Sequence, residues 1–137
     1  MFELDPRLAN DGPQLANLCP THLVIVKTNG IYPWLVVVPR VAAVSELFDL
    51  TPQQRHDLID LTARLSQALK EVTGADKINV DVIGNVCSQL HLHIIARKKD
   101  DPLWPNPIWR EPAPTGDWLG GDVDAFAARL RTALQTT

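Results

Sequence analysis

A single long amphipathic helix narrows the range of folds open to this chain. Thr51, Pro52 and Gln54 fit a capping box with proline at the first helical position. Apolar residues then recur at steps of three and four and form one stripe, at Leu58, Leu61, Leu65, Ala68, Leu69 and Val72. Gly74 is suited to end the helix in a left-handed conformation. The pattern therefore predicts a helix between Thr51 and Gly74.

Short β-rich runs lie on both sides of this helix. His22–Lys27 and Trp34–Val38 are rich in β-branched residues and too short for a good helix, so we predict an antiparallel pair of strands joined by a loop. Ile78–Ile83 and Gln89–Arg97 each predict a further strand, and the connection between them is short. Strands that bracket a long helix in this way indicate an α+β fold with a largely antiparallel sheet.

The two ends of the chain predict shorter helices. Asp5 can cap a first helix that starts with proline, and Asp122 can cap a last helix, which we expect over residues 122–135. The proline- and tryptophan-rich stretch at residues 102–121 is expected to be a loop, because its recurring prolines exclude a regular helix. We expect residues 1–137 to form one domain, a length that can bury a core.

Composition and charge exclude several classes of function. The formal net charge is −3 and the chain has no extended basic track, so we expect no nucleic-acid partner. The apolar runs are far shorter than the roughly 20 residues that span a bilayer. The N-terminus lacks the basic and apolar regions of a secretory signal, and we expect no membrane partner. The two isolated cysteines suit a reducing environment, so we expect a cytoplasmic location. Cys19 and Cys87 have no second cysteine at metal-ligand spacing and are expected to be buried or half-buried thiols.

Two histidines alternate with apolar residues in the strand predicted over Gln89–Arg97, which begins QLHLHII. Because side chains alternate across a strand, Gln89, His91 and His93 share one face, and the apolar residues between them face the core. Imidazoles at this spacing lie about 6–7 Å apart at their Cα atoms. Such a pair can bind a metal, act as acid or base, act as a nucleophile, or rest as satisfied core side chains. The spacing alone does not choose among these.

The run QLHLHII resembles the signature of the histidine triad (HIT) superfamily, in which histidines alternate with apolar residues on a strand. The order of WLVVVPR, the helix after Thr51 and INVDVIGN also resembles the family's order, and the likeness extends from about Phe2 to Trp109. Glutamine at the first triad position is similar to one bacterial branch of the family. The resemblance implies a HIT-like fold with about five strands in a mostly antiparallel sheet, one long helix, and shorter N- and C-terminal helices.

The resemblance also implies roles for residues of this chain. His91 takes the position of the histidine that attacks the α-phosphate of a nucleotide, and His93 takes the position that helps bind phosphate oxygens. Gln89 stands at the position close to the leaving group, where glutamine can donate a hydrogen bond but cannot hand over a proton. Gly84 and Asn85 match a loop that contacts phosphate in the family. Asn29 matches a position that binds the ribose.

These roles predict a nucleotide hydrolase or transferase that forms a nucleotidyl intermediate on His91. Its substrate would be a purine nucleoside phosphoramidate or a dinucleoside polyphosphate, and we expect no cofactor and no metal. The resemblance implies a homodimer. Two alternatives stay open: a nucleotide-binding protein with little catalysis, and a divalent-metal protein built on His91 and His93. Trp104 and Trp109 follow the strand. They either close over the site, close over the site of a dimer partner, or plug a loop against the core.

Overall fold

The computed structural model describes residues 1–109 and 114–136. Its elements are α1 (Pro6–Ala9), β1 (His22–Val26), β2 (Trp34–Pro39), α2 (Pro52–Thr73), β3 (Lys77–Asp81), β4 (Leu92–Arg97) and α3 (Val123–Leu134), with a 3₁₀ turn at Leu47–Asp49. Residues 110–113 of the loop predicted over 102–121 lie outside the described residues. Among the described residues, no helix combines the length and the apolar character that crossing a membrane requires.

Local sequence sets the ends of the two longer helices. The Thr51 hydroxyl accepts the N–H of Gln54 over 3.1 Å, and the Gln54 side chain accepts the N–H of Thr51 over 2.9 Å. Gly74 ends α2 in the left-handed region, with a φ of 68°. The Asp122 side chain accepts the N–H of Ala125 and caps α3. The predicted helices are therefore present with the predicted caps.

The sheet is antiparallel throughout, in the order β1-β2-β4-β3. Strand β4 lies between β2 and β3. His93 on β4 is opposite Val36 of β2 on one side and opposite Asp81 of β3 on the other. This histidine is thus built into the central ladder, where the backbone has little freedom.

The expected count of about five strands is wrong for the described residues, which form a sheet of four. Gln14 runs beside β1 but makes only an isolated bridge to Ile25. Pro13 has no N–H to donate, and Asn17 has a positive φ of 59°. The missing N–H of Pro13 limits the pairing with β1 on one side of Gln14, and Asn17 interrupts the extended backbone on the other, so the bridge does not grow into a fifth strand.

Strands β3 and β4 are each shorter than the sequence pattern predicted. Strand β3 ends at Asp81, and β4 begins only at Leu92. Because Asp81 lies opposite His93, β4 has no β3 partner on the N-terminal side of that pair. On the other side of β4, pairing with β2 starts only at Leu92, opposite Val37, and Leu90 donates its N–H to the carbonyl of Val44 instead. Gln89 and His91 therefore belong to the segment that leads into β4 and not to the ladder itself.

The sheet separates two apolar clusters. One lies between the sheet and helices α2 and α3 and contains Leu92, Ile94 and the other alternate residues of β4. The second cluster covers the opposite face, where Leu8 of α1 and Ile108 of the segment after β4 pack against the strands. His93 alternates with the residues of the first cluster and therefore projects to the second face. The histidines lie on the side that α1 and the post-β4 segment cover.

Candidate active site

His91 and His93 lie side by side on the sheet face covered by α1. Their ring centroids are 4.8 Å apart and their planes are inclined by 78°. The two residues are only 5% and 7% exposed. The alternation in the sequence thus places two imidazoles next to each other. Both are buried, whereas side chains on the wall of an open cleft would be exposed to solvent.

The backbone that leads into β4 orients His91. Its Nδ1 lies 2.6 Å from the carbonyl oxygen of Gln89. A carbonyl oxygen only accepts hydrogen bonds, so the Nδ1 atom carries the proton. In a neutral imidazole the other nitrogen, Nε2, then holds a lone pair. His91 is therefore prepared to act as a nucleophile or a base through Nε2.

Trp34 gives His93 the opposite tautomer. The indole N–H of Trp34 donates to Nδ1 of His93 over 3.0 Å in buried surroundings. Because an indole N–H only donates, Nδ1 of His93 accepts and Nε2 carries the proton. Burial, together with neighbouring His91 and Lys27, lowers the pKa of His93 to about 3. His93 is thus a neutral hydrogen-bond donor near neutral pH.

A pocket of about 400 Å³ opens beside His91. Its walls come from α1 and the turn after it, from the β3–β4 connection, and from the segment after β4. The polar, sulfur-containing and aromatic residues that line it are Arg7, Asp11, Asn85, Cys87, His91 and Trp109. A cavity of about 430 Å³ between α2 and α3 is as large, but no histidine lines it among the described residues. We therefore identify the pocket beside His91 as the candidate site because of the residues that line it and not because of its volume.

The predicted phosphate- and ribose-binding residues lie in different places. Asn85 is exposed and lines the pocket. Gly84 precedes it in a tight connection, where an added Cβ would come within 3.3 Å of the Cys87 carbonyl oxygen. Asn29 is an exposed residue of the β1–β2 loop and does not line this pocket. The three ligand-binding roles stay predictions.

Gln89 uses its side chain on the N-terminal segment. The side-chain oxygen accepts the backbone N–H of Asp5, and the side-chain nitrogen donates to the carbonyl of Glu3, each over 2.8 Å. These partners are 84 and 86 residues away in sequence. Both ends of the amide are thus engaged, and Gln89 does not line the pocket beside His91.

The two tryptophans after β4 have different surroundings. Trp109 packs edge to face on His93 with centroids 4.9 Å apart, and its N–H donates to Asp81 over 2.9 Å. It is 40% exposed and lines the pocket. Trp104 instead packs over the guanidinium of Arg97, and the guanidinium carbon lies 5.6 Å from the centroid of the Trp104 ring. Within the chain, Trp109 thus lies over the site, and Trp104 packs a loop.

Arg97 anchors the segment that carries Trp109. It is 1% exposed and donates to both carboxylate oxygens of Asp101, over 2.7 and 3.0 Å, and to Asn79 over 3.0 Å. The ring of Tyr32 lies 5.3 Å from its guanidinium carbon. Because this buried charge is paired with protein groups, we assign Arg97 a structural role and no part in binding substrate.

Within the part of the chain that the structure describes, the histidine pair has no third metal ligand beside it. Across residues 1–109 and 114–136, no three His, Cys, Asp or Glu side chains come together in a way that could hold a metal ion. Asp81, a possible third ligand, accepts the Trp109 N–H instead. Cys19 is half-buried and Cys87 is buried, and both are free thiols as expected.

Several residues of the site could not be predicted from the sequence. Trp34 is 59 residues from His93, and no local pattern marks the pair. Arg7 and Asp11 follow an ordinary helix cap, and nothing in their sequence points to a pocket. Only the folding of the N-terminal segment across the sheet places them next to His91.

The fold and the site together define a class: an α+β protein that presents two adjacent imidazoles beside a pocket on its sheet. A family model described as the HIT domain matches residues 19–100, so the chain belongs to the HIT domain family. A histidine triad (HIT) protein of Sinorhizobium meliloti 1021 has a similar crystal structure, with a TM-score of 0.88, 37% identity and 97% of each chain covered. A histidine triad protein of Bradyrhizobium japonicum gives a TM-score of 0.86 at 38% identity, covering 97% of this chain and 98% of the other.

One curated relative has a named activity. The asymmetrical bis(5'-nucleosyl)-tetraphosphatase of Schizosaccharomyces pombe is 33% identical over 95 residues, which are 66% of this chain and 52% of that protein. The chain thus spans about half the length of the relative it matches. The superfamily and the antiparallel α+β fold expected from the sequence are confirmed. The bacterial branch suggested by Gln89 stays a prediction.

Proposed function

We propose that the protein is a nucleotide hydrolase or nucleotidyl transferase in which His91 attacks an α-phosphate. The observation that carries this proposal is the 2.6 Å contact between Nδ1 of His91 and the Gln89 carbonyl. It leaves the lone pair on Nε2 of a residue that lines a pocket of about 400 Å³. A neutral imidazole in this state is a nucleophile that needs no prior deprotonation.

The reaction has two displacements at phosphorus. Nε2 of His91 bonds to the α-phosphorus while the bond from phosphorus to the leaving group breaks, and the leaving group takes that electron pair. The ring becomes positively charged, and the Gln89 carbonyl stabilises it by accepting a hydrogen bond from the Nδ1–H. The oxygen of water, or of another acceptor, then bonds to phosphorus while the P–N bond breaks and its electron pair returns to Nε2. The attacking oxygen releases its proton to solvent, and the neutral imidazole is restored. Two such steps are each easier than one direct displacement.

His93 stabilises the phosphate in this scheme. With Nδ1 occupied by Trp34, its Nε2–H is the donor available to a non-bridging oxygen. The backbone of the ladder and the buried indole hold it in place, so little reorganisation is needed during the reaction. Asn85 and Gly84 would add contacts to phosphate, and Asn29 would contact the ribose.

The substrates that fit are purine nucleoside phosphoramidates and dinucleoside polyphosphates. The tetraphosphatase relative supports the second class. We carry the homodimer and the cytoplasmic location forward as predictions.

The test compares wild type with His91→Ala and with His56→Ala, an exposed histidine on α2 that serves as the control. A panel of adenosine phosphoramidates and diadenosine polyphosphates is assayed for turnover, and the nucleotidylated protein is trapped with labelled adenylate. We expect His91→Ala to lose the adduct and to lower kcat by about 1,000-fold or more. Equal activity in His91→Ala and wild type would remove His91 as nucleophile.

A binding protein with little catalysis is the second candidate, favoured by the lack of a titratable side chain at Gln89. It predicts that AMP binds tightly while no member of the panel is turned over. Chelator is included as a further arm: loss of activity together with stoichiometric metal would instead support a site built on His91 and His93.

A further inference from the structure

The N-terminal segment, residues 3–11, brings a cation to the pocket beside His91. Arg7 lines the pocket and is the one guanidinium or ammonium group among the described residues that do so. Asp11, which also lines it, pairs with Lys27 over 3.3 Å. A pocket that receives phosphate needs positive charge, and Arg7 is placed to supply it.

Three hydrogen bonds hold the Arg7 guanidinium. Nη1 donates to the carbonyl of Val86 over 2.6 Å, and Nε and Nη2 donate to the Asp5 carboxylate over 3.1 and 2.8 Å. The group thus bridges the N-terminal segment and the β3–β4 connection, both of which form pocket walls. A guanidinium has five N–H donors, so this arrangement leaves donors for an anionic ligand.

Gln89 determines where this segment lies. Its amide makes the paired N–H and C=O contacts with Asp5 and Glu3 that a neighbouring strand would make. The backbone carbonyl of the same residue accepts from His91 Nδ1. One residue therefore orients the nucleophile through its main chain and positions the N-terminal segment through its side chain.

We propose that Arg7 binds the anionic leaving group of the substrate and that Gln89 is its positioning residue. This proposal rests on the proposed function of His91. It favours substrates whose leaving group is a phosphate chain. When the bond from the α-phosphorus to the bridging oxygen breaks, the electron pair goes to that oxygen, and the charge pairs with Arg7 without any proton transfer. An amine leaving group needs a proton, which neither the Gln89 amide nor Arg7 supplies.

The Asp5 carboxylate does not supply that proton either. Its hydrogen bonds with Arg7 hold the pKa of Asp5 well below its usual range, so it is ionised at neutral pH. Its place in the site is to orient the guanidinium.

The first experiment compares leaving groups on one nucleotide. Wild type, Arg7→Ala, Arg7→Lys and the control Arg64→Ala, an exposed arginine on α2, are assayed with diadenosine tetraphosphate and with an adenosine phosphoramidate of a simple amine. We expect Arg7→Ala to lower kcat/KM for the tetraphosphate by about 10- to 100-fold and for the phosphoramidate by less than about threefold. Arg7→Lys should fall between, because an ammonium lacks the planar fork. Equal losses on both substrates, or none, would overturn the role of Arg7.

A binding experiment separates this proposal from the proposed function. AMP and ATP are titrated into the same proteins by calorimetry, since ATP carries phosphates on the leaving-group side of the α-phosphorus and AMP does not. We expect Arg7→Ala to weaken ATP binding by about 10-fold and AMP binding by less than about twofold. This comparison holds whether or not wild type turns over any substrate. Equal weakening of both nucleotides, or no weakening of ATP, contradicts the proposal.

Gln89 is tested by a double-mutant cycle. Gln89→Ala removes both side-chain bonds to the segment but keeps the carbonyl that orients His91. We expect it to lower the tetraphosphate-to-phosphoramidate ratio of kcat/KM as Arg7→Ala does, and the double variant to lose little more than either alone, because both act through one group. An unchanged ratio in Gln89→Ala, or fully additive losses, would show that Gln89 does not position Arg7.

Discussion

Acidification from pH 7 to pH 5 should destabilise this protein through His93. The pKa of His93 is lowered from 6.5 to about 3 in the folded state by burial and by the neighbouring His91 and Lys27. Between these two values the unfolded chain binds a proton that the folded chain does not. The neutral histidine therefore makes its whole contribution to the free energy of unfolding when the pH is above the pKa of the unfolded chain. This contribution is lost as the pH falls toward the pKa of the folded chain.

The size of the effect follows from the same two values. Each pKa unit corresponds to about 1.4 kcal/mol, so the whole shift amounts to about 5 kcal/mol once the pH is below both pKa values. At pH 5 the unfolded imidazole is almost fully protonated, and the loss relative to pH 7 is about 2 kcal/mol. That is a large part of the stability of a small domain, which is about 5–15 kcal/mol.

The assay is urea denaturation at pH 7, 6 and 5 and constant ionic strength, followed by tryptophan fluorescence. The matched variant is His93→Asn, which can still accept the Trp34 N–H but does not titrate. Its free energy of unfolding should fall by about 2 kcal/mol less than that of wild type between pH 7 and pH 5. Burial also lowers the pKa of His22, but His22 is present in both proteins and cancels in the comparison. His56→Asn, at an exposed position, should keep the wild-type dependence.

Equal pH dependence in wild type and His93→Asn would refute the assignment of His93 as a neutral, buried donor. A dependence of opposite sign would mean that the folded state binds the proton more tightly than the unfolded chain. Either result would also remove the reason to give His93 Nε2–H a role at the phosphate.

Further predictions concern the core, the buried ion pair and the pocket. Leu65→Ala, at a site that is 0% exposed, should lower the free energy of unfolding in urea denaturation by about 2–5 kcal/mol. Ile59, on the same helix, is 52% exposed, and Ile59→Ala should change that free energy by less than about 1 kcal/mol. Asp101→Asn leaves the buried charge of Arg97 without its counter-ion and should cost about 3 kcal/mol or more in the same assay. AMP bound beside His91 should change tryptophan fluorescence, and Trp109→Phe should abolish most of that change; an unaltered signal in the variant would place the nucleotide elsewhere.

Helix α2 is the element that the sequence predicts most completely. Its cap at Thr51, its apolar stripe and its end at Gly74 all depend on residues within one helix or next to it. Such local interactions act in the same way in many folds, so the pattern is readable without a tertiary structure. The caps of α1 and α3 are predicted for the same reason.

Strand ends and strand number are less readable, because a strand ends where its pairing with both neighbours ends. Strand β4 begins at Leu92 and not at Gln89 because its pairing with β2 stops at the Leu92–Val37 pair and its pairing with β3 stops at the His93–Asp81 pair. The apolar alternation continues through Gln89 regardless. Hydrogen-bonding partners that come from distant parts of the chain decide the limits of the ladder.

The sequence by itself determined that His91 and His93 share one face, because the alternation of side chains along extended backbone depends only on spacing. Only the tertiary structure decided what these histidines can do. The tautomer of His93 depends on Trp34, 59 residues away, and the engagement of Gln89 depends on Asp5, 84 residues away. Spacing sets the direction in which a side chain points, whereas its protonation and its partners depend on the segments that the topology brings across that face.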